Sequence, residues 1–335
     1  MIAVWVESSM RRVFPDAAPG PARAICLAGA RNERLDFQLG ILADKPIVAA
    51  TIRCSDLRGP RGACIARSRI RWNFEAFVSL RANTQGTAPS DLERFAPGLF
   101  PDGLMEERAI GLRPGECRPV WVTIAIPDDA PPGEYQGAIT VRDDGTRRSL
   151  PLRLVVWPFA LPAARSLHLA NWFWPRALCA QYEVPLFKGR FWELLDDVAR
   201  NMADHRQNVI LTPVTNLVRS VRTRDGWRYD YRDLDRWVAT FDRYGAADLI
   251  ELEHVGGRIG NWESPVGFVA MTVYDECGRP EVLPRVPVGD SVREVFLRDF
   301  LAGLGAHLKR RGWFNRAIIH QADEPIAANR ASYEQ

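Results

Sequence analysis

The sequence predicts a multi-domain chain. An N-terminal all-β sandwich over residues 1–160 is followed by an incomplete (β/α) TIM-type barrel of about four strand-helix units over residues 165–335. Three observations carry this expectation. Up to about residue 160, short β-rich runs alternate with clusters of Gly, Pro and Asp, the rhythm of strands and tight turns. Beyond Pro162, apolar runs alternate with amphipathic stretches, which implies parallel strands joined by right-handed crossovers. The last of these runs, Arg316-Ala-Ile-Ile-His-Gln-Ala, delivers Asp323-Glu324-Pro325, and parallel barrels carry their chemistry at that end of a strand.

In the first half the expected strands are 24–28, 37–42, 47–52, 120–126, 138–141 and 150–156. The connection Pro127-Asp-Asp-Ala-Pro-Pro-Gly-Glu-Tyr-Gln-Gly has too few backbone donors to pair in a sheet, and Gly133 offers a positive-φ turn before Tyr135 starts the next strand. Asp143-Asp144-Gly145-Thr146 is a tighter hairpin turn. Arg31-Asn32-Glu33 reads as a loop-fixing set of hydrogen bonds, and residues 81–111 as a long irregular excursion. Trp5, Trp72 and Trp121 are assigned to packing, and Cys26 and Cys54 to buried free thiols. The prolines of Val155-Val-Trp-Pro-Phe-Ala-Leu-Pro end the sandwich.

In the second half a strand over 167–174 leads to a helix over 190–207, whose apolar positions Phe191, Leu194, Leu195, Val198 and Met202 share one face. A strand over 208–213 follows, then an Asp225-Gly226 hairpin signal and a helix over 233–244 closed by Gly245. A strand over 248–254 precedes a helix over 290–311, with Asp290 or Ser291 as N-cap and Gly312 as its stop. The strand 317–320 completes the series. No glycine-rich fingerprint follows the first strand, so a dinucleotide fold has little support. A closed barrel needs eight strands and about 250 residues. The expectation is therefore a fragment of a longer enzyme, with an open edge at its last strand.

Composition narrows the function. A net charge of +3 on 44 basic and 41 acidic residues gives no electrostatic case for nucleic acid. No apolar run approaches the roughly 20 residues of a membrane span. The first charges follow a short apolar run, the reverse of a secretion signal. The sequence as written thus implies the cytoplasm, with a secreted or periplasmic location if an upstream segment precedes it. The six cysteines form no C-x-x-C pair and the five histidines are dispersed, so neither a metal nor a cofactor is expected. Oligomeric state is not written in the sequence.

Asp323 and Glu324 are the candidate catalytic residues, because glycosidic bond cleavage needs two carboxyl groups in unequal environments. A plain alternative is a helix start with Asp323 as N-cap. Candidate sugar contacts at the other strand ends are His168, Asn171, Trp172 and Trp174, then Thr212 and Asn216, then Glu253, His254 and Trp262. Aromatic rings suit a pyranose face and amides suit its hydroxyls. Each stands equally as a structural hydrogen-bonding residue, and His320 is read as a buried, satisfied histidine.

Four motifs, Trp5-Val-Glu-Ser-Ser-Met, Ala30-Arg-Asn-Glu with Phe37-Gln, Pro131-Pro-Gly-Glu-Tyr-Gln-Gly, and Asp323-Glu-Pro, together resemble glycoside hydrolase family 123. The founding activity of that family is β-N-acetylgalactosaminidase. The family's barrel continues well beyond the acidic pair, where this sequence stops. The resemblance implies a carbohydrate substrate and retaining, substrate-assisted hydrolysis. In that scheme Glu324 is the general acid/base, and Asp323 orients the sugar's own 2-acetamido group as nucleophile. A non-catalytic carbohydrate-binding or structural protein with a truncated barrel is the alternative that the sequence leaves open.

Overall fold

Alternation of inward apolar and outward polar side chains builds the first part of the chain, Met1–Ala163, one of two units into which the molecule divides. The structure, a computed structural model, describes residues 2–143 and 145–335. In the first unit, one sheet runs Ile2–Ser8, Arg34–Ala43, Cys117–Ala125, Ile70–Leu80, Gly98–Leu104 in spatial order. The other runs Ile25–Arg31, Arg147–Ala160, Gly133–Arg142, Ile47–Cys54, Ala109–Leu112. Phe37, Leu39, Ile41, Val120 and Val122 of the first share one buried core with Ile52, Ile139, Val141, Leu152 and Leu154 of the second. Burying that apolar area drives the folding of this unit.

The sequence motifs of this unit hold its turns. Trp5 sits opposite Gly40 in the antiparallel register, and a Cβ on Gly40 would lie 2.2 Å from the indole. Glycine is therefore required there so that the ring can lie over the strand. The Gln38 amide, 2% exposed, donates to the carbonyls of Ser8 at 3.0 Å and Arg11 at 2.7 Å. Asn32 adopts a left-handed backbone, φ 59°, and its amide donates to the Leu161 carbonyl at 2.9 Å. Glu33 accepts from the Ala30 amide at 2.6 Å. In Pro131-Pro-Gly-Glu-Tyr, Gly133 takes φ 137°, and the buried Tyr135 turns its hydroxyl back to donate to the Pro131 carbonyl at 2.8 Å. A tyrosine bonded to backbone just upstream pins a strand corner.

Several expectations need correction here. Residues 81–111 are not irregular throughout: they contain the strand Gly98–Leu104, paired with Ile70–Leu80. Cys26 is exposed, because its strand turns alternate residues outward. The strand expected over 150–156 continues through Pro158 to Ala160. Pairing skips from Val156 to Ala160, so the proline occupies an irregularity where no ladder donor is needed. Asp143 accepts from the Gly145 amide at 2.9 Å, while Asp144 of that expected turn lies outside the described residues.

The second unit, Ala164–Gln335, contains a parallel sheet ordered Val209–Thr212, Leu249–Leu252, Ala317–Ile319. The strand expected over 167–174 is reduced to a single parallel bridge, Ala170 to Val209. Helices Phe191–Asp204, Arg232–Asp242 and Ser291–Arg310 bury one face each. Trp237, Phe241, Phe191, Phe300 and Leu304 meet Ile210 and Ile250 in one core. Asp290 caps the last of these helices by accepting from the Arg293 amide at 2.8 Å. Gly245 and Gly312, with φ 66° and 71°, follow the ends of their helices.

Between these elements lie two small sheets that periodicity did not reveal. Arg219–Thr223, Gly226–Asp230, Met271–Tyr274 and Pro280–Leu283 form one. Gly256–Arg258, Val266–Phe268 and Val286–Pro287 form the other. The Asp225-Gly226 signal does close a hairpin, Thr223 facing Gly226.

The corner yields the first prediction. Tyr135→Phe should destabilise the protein by about 1–2 kcal/mol, since the Pro131 carbonyl loses its partner while the ring still packs. Urea unfolding measures it, and an unchanged midpoint would show that the hydroxyl contributes nothing.

Candidate active site

The C-terminal ends of the parallel strands gather polar side chains because each strand places apolar residues in the sheet and its last residues at the rim. Glu251, in Leu249–Leu252, is 5% exposed. A buried carboxylate needs partners on both oxygens, and each oxygen has one. The Trp172 indole donates to Oε2 at 3.0 Å. His320 Nε2 lies 2.8 Å from Oε1. His320 Nδ1 in turn lies 3.1 Å from His254 Nε2, and the Trp172 ring meets both imidazoles edge-on. One side chain thus joins three of the chain segments that end at this rim.

Beside this cluster opens a cavity of about 1100 Å³, whose lining includes Trp174, Asn216, Glu253, His254 and Asp323. Thr215 donates to Glu253 Oε2 at 2.5 Å, and Asn216 donates to the Thr215 hydroxyl at 3.0 Å. Burial pushes the Glu253 carboxyl up, against the Thr215 bond and the Arg176 charge, which pull it down. Burial also lowers the His254 imidazole, helped by His320 and opposed by Asp323 and Glu251. The basic residues Arg176, Lys188, Arg219, Arg258 and Arg285 line the same cavity. Among the described residues no group of three His, Cys, Asp or Glu side chains is placed to hold a metal ion.

Asp323 and Glu324 sit differently. Asp323 is exposed on the cavity lining; Glu324 is exposed beside it, outside that lining. Glu324 has a left-handed backbone, φ 39°, and its carbonyl accepts a hydrogen bond from the Arg258 guanidinium. No helix starts at Asp323: the next helical turn, Ala327–Asn329, has Ile326 at its N-cap position. Gly256 donates to the Gln321 carbonyl at 2.8 Å. A Cβ on Gly256 would stand 2.6 Å from that oxygen, so glycine permits this close approach.

The remaining candidates scatter. Trp262 lies outside the cavity lining but stacks on Arg258, 3.7 Å from guanidinium to ring. Trp172 meets Trp174 edge-on. Thr212 is buried and bonds the Ile210 carbonyl at 3.3 Å, a structural role. The Asn171 backbone carbonyl accepts from the Gln207 amide at 2.9 Å. His168 is exposed and outside the cavity lining. His320 is only partly buried. Glu251, Thr215 and Arg258 were missed from sequence. Only Glu251 left a signal there, an acid inside the apolar run Leu249-Ile-Glu-Leu.

Residues 172–335 match the family described as glycoside hydrolase 123, catalytic domain, and residues 11–143 match the glycoside hydrolase 123 N-terminal domain. The chain belongs to glycoside hydrolase family 123. Its fold is that of a family 123 glycoside hydrolase from Clostridium perfringens, described for glycolipid glycan hydrolysis, at TM-score 0.76 and 16% identity. That match covers 98% of this chain and 59% of the solved one, so the chain spans less than two thirds of its length. The fimbrial subunit MyfA of Yersinia enterocolitica and the CooA pilin of enterotoxigenic Escherichia coli also match, each at TM-score 0.23. Their identities are 10% and 11%, over 46% and 47% of this chain and 99% of each pilin, too slight a likeness to carry an argument. No curated protein matches the sequence. No helix among the described residues is long and apolar enough to cross a membrane.

Two predictions follow from this geometry. Thr215→Val removes a hydrogen bond that favours the charged carboxylate, so Glu253 should titrate still higher. Its folded pKa already lies above the unfolded value, so Glu253 lowers stability as pH rises through the unfolded carboxyl range, and the variant should steepen that loss. Carboxyl carbon-13 NMR reads the first and the pH slope of urea unfolding the second; no change in either would remove the hydroxyl from the account. Gly256→Ala should cost about 1–3 kcal/mol and displace residues 321–324, since the added methyl meets backbone. A parental urea midpoint and unshifted amide resonances over 321–324 would refute it.

Proposed function

We propose that this chain carries the sandwich domain, residues 1–160, and the first half of the (β/α) barrel, residues 165–335, of a retaining exo-hydrolase. Its substrate is a terminal β-linked N-acetylhexosamine, GalNAc before GlcNAc. The observation that supports this reading most is the convergence of Asp323, Glu253 and His254 on one cavity at the C-terminal ends of parallel strands. The glycolipid glycan hydrolysis described for the Clostridium perfringens enzyme suggests a glycan of that kind.

In this scheme the sugar supplies the nucleophile. The carbonyl oxygen of the 2-acetamido group attacks the anomeric carbon as the glycosidic bond breaks, and a positively charged oxazolinium ring forms. Asp323, on the cavity lining, accepts from the acetamido N–H, which aligns the carbonyl and offsets the developing charge. Glu324 protonates the leaving oxygen and later takes a proton from the water that opens the ring. Adjacent residues suffice because only one carboxyl has to reach the leaving group. The left-handed backbone at Glu324 supports this reading, since strained non-glycine positions cluster at active sites. Trp174 offers an apolar face and Asn216 an amide for the sugar's hydroxyls.

The test is kinetic, on the longest form of the protein that its gene encodes. Glu324→Gln should slow cleavage of poor leaving groups about a hundred- to ten-thousand-fold, with a smaller loss on activated aryl glycosides. Asp323→Asn should slow every N-acetyl substrate about a hundredfold or more, because it acts on ring formation. Near-parental rates in both variants on an aryl β-N-acetylgalactosaminide would make the pair structural and favour a non-catalytic carbohydrate-binding protein.

A further inference from the structure

The bonds around Glu251 fix where protons sit. The ionised carboxylate only accepts, and so does Oε2 towards the Trp172 indole, which only donates. His320 therefore carries its proton on Nε2, facing Oε1 at 2.8 Å. Its other nitrogen, Nδ1, faces His254 Nε2 at 3.1 Å, and that bond holds one proton. With both rings neutral, His320 Nδ1 is bare, so His254 must donate from Nε2 and leave its own Nδ1 bare. When the pair takes up one proton, the shared bond still holds one, whichever ring carries the charge. The added proton must then reside on His254 Nδ1.

We propose that Glu251 and His320 are positioning residues which set His254 Nδ1 as a hydrogen-bond acceptor or donor towards the sugar according to whether the histidine pair holds one extra proton. This rests on the reading of the cavity as the sugar site, because His254 lines it and Nδ1 is the ring nitrogen not engaged by His320. The charged groups facing the pair are Glu251 from strand Leu249–Leu252 and Asp323 from the segment after Ala317–Ile319. Both favour the protonated pair, and the Trp172 ring from the first segment is uncharged. A substrate oxygen that needs a donor thus draws a proton onto the pair, while an N–H or O–H that needs an acceptor expels it. Asp323 is the neighbour whose own bond to the acetamido group such a change would adjust.

Nitrogen-15 NMR of histidine in this chain tests the arrangement without any variant. His320 Nε2 should remain protonated across the titration, and His254 Nδ1 should change from bare to protonated as the pair takes up its proton. A His254 Nδ1 that is protonated throughout, or a bare His320 Nε2, would overturn the proposal. Glu251→Gln removes the carboxylate charge and should move the pair's titration to lower pH; an unchanged titration in a folded variant would also overturn it. Calorimetry with methyl 2-acetamido-2-deoxy-β-D-galactoside, in buffers of different ionisation enthalpy, separates this from the sugar reading. Proton exchange on binding that shifts with Glu251→Gln supports the link to the sugar, and binding without proton exchange breaks it. A sugar that does not bind at all counts against the sugar site and so against the role towards sugar, whereas the nitrogen-15 result still decides the proton arrangement.

Discussion

A carboxylate buried at the end of a parallel strand is the constraint around which the second unit is arranged. Glu251 is removed from water, and an unpaired charge there would cost several kcal/mol. Its two oxygens meet side chains of two other segments, one accepting from Trp172 and the other 2.8 Å from His320 Nε2. Meeting that need ties the chain after Ala170, the strand Leu249–Leu252 and the end of Ala317–Ile319 to one point. Glu253 repeats the device two residues later, with Thr215 as donor from the connection after Val209–Thr212. Polar satisfaction thus shapes the rim of the cavity, while the helices behind it supply the apolar core.

The two units show opposite uses of sequence motifs. In the first, the residues that carry the family resemblance are engaged in holding backbone: Gln38 on Ser8 and Arg11, Asn32 on Leu161, Tyr135 on Pro131. Among the described residues, Asp323 and Glu324 have no such employment. Neither residue caps a helix, and the segment that holds them is fixed through backbone carbonyls, by Gly256 at Gln321 and Arg258 at Glu324. Fixing a segment by its main chain leaves its side chains free for a ligand.

Strand and helix periodicity made the long elements legible. Phe191, Leu195 and Ala199 point inward from one face, and Trp237 and Phe241 do the same on the next helix. The two small sheets were not legible, because strands of two to five residues held by pairing between distant segments leave no period to read. Pro158 misled for a related reason: a proline ends a strand only where the ladder needs its donor. In the site, acids and aromatics at strand ends were visible as types, and the strand order brought Glu253, His254 and Asp323 to one cavity. Which partner each side chain would meet depended on contacts between distant segments. His320 to Glu251 is one such contact and Arg258 to Glu324 another.

The left-handed backbone at Glu324 sets thermostability against the chemistry proposed for it. A side chain in that conformation costs about 1–3 kcal/mol relative to a residue that adopts it freely, and glycine adopts it freely. Selection for heat resistance alone would therefore favour glycine at this position and discard the carboxyl group. Replacement by Asn would relieve part of the same strain. Laboratory evolution of this chain for robustness, run without an activity screen, would erode the proposed acid early.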